Sequence, residues 1–149
     1  MTNSQANHRL LFIFSLMVVV GSGLGLTGCG ESALPGKPEL PESVTPGWVR
    51  KSFAHVEPPP GLPAGQRTNC WKAEYVGTGT ASAGVFACAY AAGGSFDAAQ
   101  RYASAADRVK FQVGEYLVIV QWSGGSKTEI TALVRAVQNA LGAKARSRS

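Results

Sequence analysis

The sequence predicts an α+β domain, in which an antiparallel sheet of about five strands carries two helices packed on one face. Three observations lead to this class. Segments of alternating hydrophobicity are separated by glycine-rich turns, two helical segments each follow a strand through Gly-Gly-Ser, and the connections are short. The predicted order along the chain is βββαββα. The Gly-Gly-Ser turns lie 31 residues apart, which we interpret as shared capping chemistry, with a duplicated strand–helix unit as the alternative.

The first three strands come before the first helix. Residues 48–56 (WVRKSFAHV) alternate loosely and predict the first strand, and the prolines of residues 57–65 end it because proline offers no donor to a sheet. Residues 69–76 and 85–91 alternate on either side of Gly79 and predict a hairpin. On one face this hairpin sets large side chains against small ones, as a face covered by helices requires, and the other face is more exposed.

A hairpin centred on Gly79 places Cys70 directly opposite Cys88 and Trp71 opposite Ala87. Directly opposed residues at a non-hydrogen-bonded position are close enough for a disulfide. Cysteine pairs of exported proteins are usually oxidised. The register and the pair of cysteines therefore predict a Cys70–Cys88 disulfide.

The second half of the domain reads as helix, hairpin, helix. Ser95 is predicted to cap a helix over residues 96–107, and residues 109–122 predict a hairpin that turns at Gly114. Its second strand, YLVIVQW, is apolar enough to be central. Ser126 and Glu129 form a capping box for the last helix, which Gly142 is predicted to end. That helix carries an apolar stripe: Ile130, Leu133, Val134, Val137 and Leu141.

The N-terminal segment has the pattern of an export signal. Residues 10–20 (LLFIFSLMVVV) are apolar but too few to span a bilayer, and Arg9 precedes them. The LTGC tetrapeptide at residues 26–29 resembles the lipobox of bacterial lipoproteins. The resemblance implies that residues 1–28 are removed and that Cys29 carries the lipid. Since Gly30 rather than aspartate follows, it also implies a lipid-anchored protein of the cell envelope, at the outer membrane and facing the periplasm.

Residues 29–47 hold four prolines and no aromatic residue, a composition typical of an extended tether. Such a tether holds a domain up to roughly 50 Å from the bilayer. An ordered arm lying on the domain is the alternative. The predicted boundaries are therefore a tether over residues 29–47, one globular domain over 48–142, and a basic disordered tail over 143–149.

Charge argues against a nucleic-acid-binding protein. The formal net charge is +5, and removal of residues 1–28 takes away Arg9 and no acid, which leaves +4. Three of those cations, Lys144, Arg146 and Arg148, lie in the tail. The domain is therefore nearly neutral and lacks the broad basic face that nucleic acids require.

One family resemblance concerns the domain. The segments FDAAQRY, VKFQVGEYLVIVQW and LVRAVQNAL resemble a family of uncharacterised exported bacterial domains, which have a helix, a strand–glycine–strand pair and a C-terminal amphipathic helix. The resemblance supports the α+β fold and implies no functional residue.

No residue pattern predicts catalysis, a metal site or a cofactor. His55 is the only histidine after residue 28, and the carboxylates show no paired spacing. One weak candidate is an anion contact at the turn formed by Gly124, Gly125, Ser126 and Lys127, where backbone N–H groups precede a helix. Walker spacing is absent.

The sequence therefore predicts a non-enzymatic module that is held on a membrane by the lipid on Cys29 and binds an envelope protein or polymer. The alternative is a small-ligand-binding or enzymatic periplasmic domain, with its site in a cleft on the exposed face of the sheet.

Overall fold

The computed structural model describes residues 33–62 and 67–146, with side chains through residue 143. These residues form one six-stranded antiparallel sheet and two helices, which confirms the α+β class with an antiparallel sheet. The spatial strand order is β1-β2-β3-β4-β6-β5. The elements are β1 Ser43–Val44, β2 Trp48–Val56, β3 Thr68–Val76, β4 Ser82–Tyr90, α1 Gly94–Arg101, β5 Arg108–Val113, β6 Tyr116–Ser123 and α2 Lys127–Arg146. The additional strand is β1, whose two residues are too few to show an alternating pattern.

The predicted register of the β3–β4 hairpin is confirmed. Cys70 lies opposite Cys88 and Trp71 opposite Ala87. A disulfide joins the two cysteines, whose Cα atoms are 4.0 Å apart. Both cysteines are buried, so the bond links two central strands inside the protein.

The two helices lie on opposite faces of the sheet, and the prediction that both pack on one face is wrong. Ala98 of α1 packs in a cluster with Leu117 of β6, whereas Leu133 of α2 packs in a cluster with the next β6 residue, Val118. Successive residues of a strand point to opposite faces. The α2 face holds a helix of 20 residues and residues 33–47, so α1 crosses from β4 to β5 on the other face.

Helix α1 is shorter than predicted and is capped differently. Gly93 is its N-cap, with a φ of 82°, and no side chain caps the helix. Ser95 is buried and donates to the Gly114 carbonyl at 3.1 Å, while the Gln112 amide donates to the Ser95 hydroxyl at 2.9 Å. The predicted role of Ser95 as N-cap is therefore wrong. The helix ends at Tyr102, where the backbone becomes extended.

Helix α2 begins as predicted and ends later. The Ser126 N–H donates to Glu129 Oε2 at 2.7 Å, and the Glu129 N–H donates to the Ser126 hydroxyl at 3.2 Å, which confirms the capping box. The apolar stripe is buried or half-buried along its length. Gly142 stays in helical backbone rather than ending the helix, which continues to Arg146. The helix thus includes residues 143–146, which the sequence assigned to the tail.

Residues 33–47, which we call the arm, lie against the sheet. Pro35, Pro38 and Leu40 are buried. The Tyr75 hydroxyl donates to the Pro41 carbonyl at 2.7 Å, and the Tyr116 hydroxyl donates to the Gly36 carbonyl at 2.6 Å. Proline-rich backbone leaves its carbonyls free as acceptors, and the two tyrosines use them. Residues 33–47 are thus the ordered arm that the sequence offered as the alternative, and the compact unit begins before Trp48.

Candidate functional site: a groove between β5 and α2

An apolar groove of about 540 Å³ lies between the edge of the sheet and helix α2. Its apolar lining comes from Val109 of β5, Trp122 of β6, and Ile130 and Val134 of α2. All four side chains are half-buried and pack against the main core cluster. Four polar or charged α2 residues complete the lining: Lys127, Thr131, Arg135 and Gln138.

The rim of the groove is cationic. Lys127 and Arg135 are exposed and stand eight residues apart on α2, on the face that lines the groove. Among the described residues, no acidic side chain lines the groove and neither cation forms an ion pair. The groove therefore combines an apolar floor with two uncompensated positive charges.

The outer edge of β5 presents unpaired backbone groups beside this groove. The Trp122 N–H donates to the Asp107 carbonyl at 3.0 Å, and extending the register of β5 and β6 by one residue places these two residues opposite each other. Hydrogen-bonded pairs alternate with non-hydrogen-bonded pairs along an antiparallel ladder. Val109 and Phe111 therefore bond to β6, whereas the N–H and C=O groups of Lys110 and Gln112 point away from it. Among the described residues, the only strand that pairs with β5 is β6.

Two further cations lie on the α1 face of the same strand. The Arg108 guanidinium donates to the Tyr102 hydroxyl at 3.1 Å, and the Lys110 ammonium donates to the Tyr102 carbonyl. Asp107 is the nearby acid, 3.8 Å from Arg108. These contacts fix the two cations beside the free edge and stabilise the C-terminal end of α1.

The predicted anion contact lies at the start of α2, next to the groove. Gly124 and Gly125 have φ values of 67° and 83° and form the turn. The Glu129 carboxylate already accepts the Ser126 N–H, and this bond is the main cause of the lowered pKa of Glu129. An external anion at this turn has to displace Glu129. Lys127 belongs instead to the rim of the groove.

The other predicted site residues lie elsewhere. Cys29 is outside the described residues, so its lipidation stays a prediction. The Cys70–Cys88 disulfide packs under α1, and the His55 ring packs edge-on against Trp71 with centroids 5.7 Å apart. The described part of the chain brings together no group of three potential metal ligands. It also contains no helix that is long and apolar enough to cross a membrane.

A second cavity, of about 600 Å³, lies where β4 meets α1. Tyr90 lines it together with Arg67 and Phe96, and the Tyr90 hydroxyl is buried without a hydrogen-bond partner among the described residues. The Thr68 hydroxyl is nearby but donates to the Ala89 carbonyl at 2.9 Å. Burial raises the pKa of Tyr90.

The comparisons with known proteins identify no relative: no protein-family model, curated protein or solved structure matches the chain. The resemblance to uncharacterised exported domains therefore stays a prediction.

Sequence reasoning missed the groove. The only signals were the alternation of VKFQV, with a lysine as its second residue, and the spacing of Lys127 and Arg135.

Proposed function

We propose that this chain is a lipid-anchored protein of the cell envelope that works as a non-enzymatic interaction module and binds its partner through the β5–α2 groove. One observation carries the choice of surface: the apolar floor of the groove adjoins a strand edge with unpaired backbone groups. Both features favour association, because burial of apolar surface and completion of a sheet each stabilise a complex.

The packing of the arm supports action close to the membrane. With a lipid on Cys29, five residues separate the anchor from the buried Pro35. A fully extended chain of that length spans about 20 Å, less than half the reach of a free tether over residues 29–47. The partner is therefore proposed to be an envelope protein or polymer that comes near the outer membrane from the periplasm.

Photocrosslinking in living cells tests this proposal. A photoreactive amino acid at Gln138 faces the groove, whereas the same group at Asn139 sits on the next residue of α2, about 100° around the helix. We expect a discrete crosslinked product from position 138 and not from position 139, and its loss in a Cys29→Ser chain. Equal products from both positions, or none from either, contradict the proposal.

The second cavity is the basis of a different function, the binding of a small polar ligand, because the charged residues Arg67 and Asp97 line it beside the buried Tyr90. A thermal-shift screen of metabolites on the full chain, repeated with Tyr90→Phe, tests this alternative. A hit whose stabilisation disappears with Tyr90→Phe supports it. The absence of any hit, or a hit that Tyr90→Phe leaves unchanged, counts against it.

A further inference from the structure

We infer that the partner segment is an acidic, amphipathic β-strand that adds to the free edge of β5. This inference rests on the proposed function and names the chemistry of its partner. It follows from the backbone of β5, from the two faces of that strand, and from the charges around it.

The backbone supplies the docking geometry. Lys110 and Gln112 each direct an N–H and a C=O away from β6, so an extended segment alongside β5 finds two donors and two acceptors in strand register. The Arg108 N–H is engaged by the Ala105 carbonyl at 3.4 Å. The open part of the edge therefore starts beyond Arg108, and a short strand is enough to fill it.

The two faces of β5 determine which positions of the added strand are apolar. Val109, Phe111 and Val113 point to the α2 face and are half-buried at the margin of the core. Side chains of an added strand on that face lie next to them and beneath α2, where Ile130 and Val134 line the groove. Every second residue of the partner is therefore apolar.

The cations beside β5 determine which residues of the added strand alternate with the apolar ones. On the α1 face, where the side chains of the intervening residues point, the added strand runs beside Arg108 and Lys110. Asp107 offsets part of this charge through Arg108. Carboxylates on the partner complement the remaining cations, and cations on the partner are repelled.

The same charges disfavour a second copy of this chain as the occupant. Antiparallel pairing of two β5 strands brings Lys110 of one copy close to Arg108 and Lys110 of the other. Like charges across a strand pair are destabilising, and lysines at sheet edges are a common protection against self-pairing. The β5 edge therefore disfavours pairing with a second copy of this chain and favours pairing with an acidic strand.

A model peptide tests the inference on the full chain in phosphatidylcholine nanodiscs. The probe alternates valine and glutamate over about eight residues, an ordinary strand length. The reporter is the fluorescence of Trp122, since Trp48 and Trp71 are buried and do not line the groove. We expect saturable binding with a blue shift that a Trp122→Phe chain lacks, and binding at least about tenfold weaker for a valine–lysine peptide.

Two matched variants isolate the backbone contact. Lys110→Ala and Lys110→Pro both remove the ammonium group, but only proline removes the outward N–H. We expect the glutamate peptide to bind Lys110→Pro at least about tenfold more weakly than Lys110→Ala. If Lys110→Pro does not fold, a glutamate peptide with N-methyl groups along one edge replaces it, and its weaker binding supports the inference.

Several results overturn the inference. They are equal binding to both Lys110 variants, equal binding of the lysine and glutamate peptides, no binding of the glutamate peptide, and a concentration-dependent dimer that Lys110→Pro abolishes. A partner that is crosslinked from position 138 in cells and is unaffected by Lys110→Pro leaves the proposed function standing and removes the strand mechanism alone.

Discussion

Beside β1 the chain covers the outer backbone at the start of β2, which we call the covered edge, whereas at β5, which we call the open edge, it leaves donors and acceptors unpaired. The Arg50 N–H donates to the Glu42 carbonyl at 2.8 Å, and the Arg50 guanidinium donates to the Leu40 carbonyl. The Lys37 ammonium lies 4.6 Å from the centre of the Phe53 ring. Nothing comparable covers Lys110 and Gln112 among the described residues.

The difference shows which kind of segment binds at an edge of this sheet. The covered edge holds an extended segment that carries Glu39 and Glu42, and Glu42 lies 3.4 Å from Arg50. The chain thus already binds an extended acidic segment beside a cationic strand, through main-chain bonds and apolar contacts. The open edge also offers a cationic strand, main-chain hydrogen-bonding groups and an apolar contact surface. There the apolar groove takes the place that Leu40 has at the covered edge.

Among side-chain truncations, the largest expected effect is on the covered edge. Leu40 is 6% exposed and belongs to the main core cluster, so Leu40→Ala is expected to cost about 3 kcal/mol of unfolding free energy. Val109→Ala is the matched truncation at the open edge and is expected to cost about 1 kcal/mol, since Val109 is half-buried. Chemical denaturation of both variants measures the difference, and equal losses would show that the arm is not part of the core.

Alkaline pH is expected to weaken the covered edge. Burial raises the pKa of Tyr75 to about 12, and its neutral hydroxyl donates to the Pro41 carbonyl. Because the folded pKa lies above the ordinary tyrosine pKa of 10.0, this stabilisation is complete below pH 10 and is lost as pH rises to about 12. Denaturation across that range measures the loss.

Tyr75→Phe is the control for the alkaline effect. It is expected to cost about 1 kcal/mol at neutral pH, through loss of one hydrogen bond, and to flatten the decline above pH 10. A residual decline is expected from Tyr90, whose pKa burial also raises. An unchanged decline in Tyr75→Phe would contradict the role of Tyr75 in holding the arm.

The smallest expected effect is at the open edge. The unfolding free energy of Lys110→Pro is expected to lie within about 1 kcal/mol of that of Lys110→Ala, since an edge residue whose N–H faces solvent tolerates proline. Phe111→Pro, one residue along, removes a bond to β6 and is expected to cost about 3 kcal/mol or more. Thermal unfolding compares the three variants. A Lys110→Pro chain as unstable as Phe111→Pro would mean that the register of β5 is different.

Features set by local periodicity could be predicted from the sequence. The Cys70–Cys88 register follows from one turn, and the start of α2 follows from Ser126 and Glu129. Features set by long-range packing could not. Ser95 is a residue type that commonly caps helices, but its hydroxyl accepts a hydrogen bond from the Gln112 amide instead. Pro35 lies in a segment whose composition favours disorder, but its side chain is buried.

The groove was missed for the same reason. Its walls meet because β6 lies between β4 and β5 and because α1 crosses the face opposite α2. Neither the spatial strand order nor the face chosen by each helix is encoded in a local pattern. Lys127 was identified, but the groove also needs Val109 of β5, which lies 18 residues earlier in the sequence, to be on the face that α2 covers.

Amide hydrogen exchange, read residue by residue by NMR, tests the open edge most directly. We expect the amides of Lys110 and Gln112 to exchange rapidly, while those of Val109, Phe111 and, at the covered edge, Arg50 are protected. Addition of the valine–glutamate peptide is expected to protect Lys110 and Gln112 without changing Arg50. Protection of Lys110 and Gln112 equal to that of Phe111 in the chain alone would contradict the account, because that edge would already be covered.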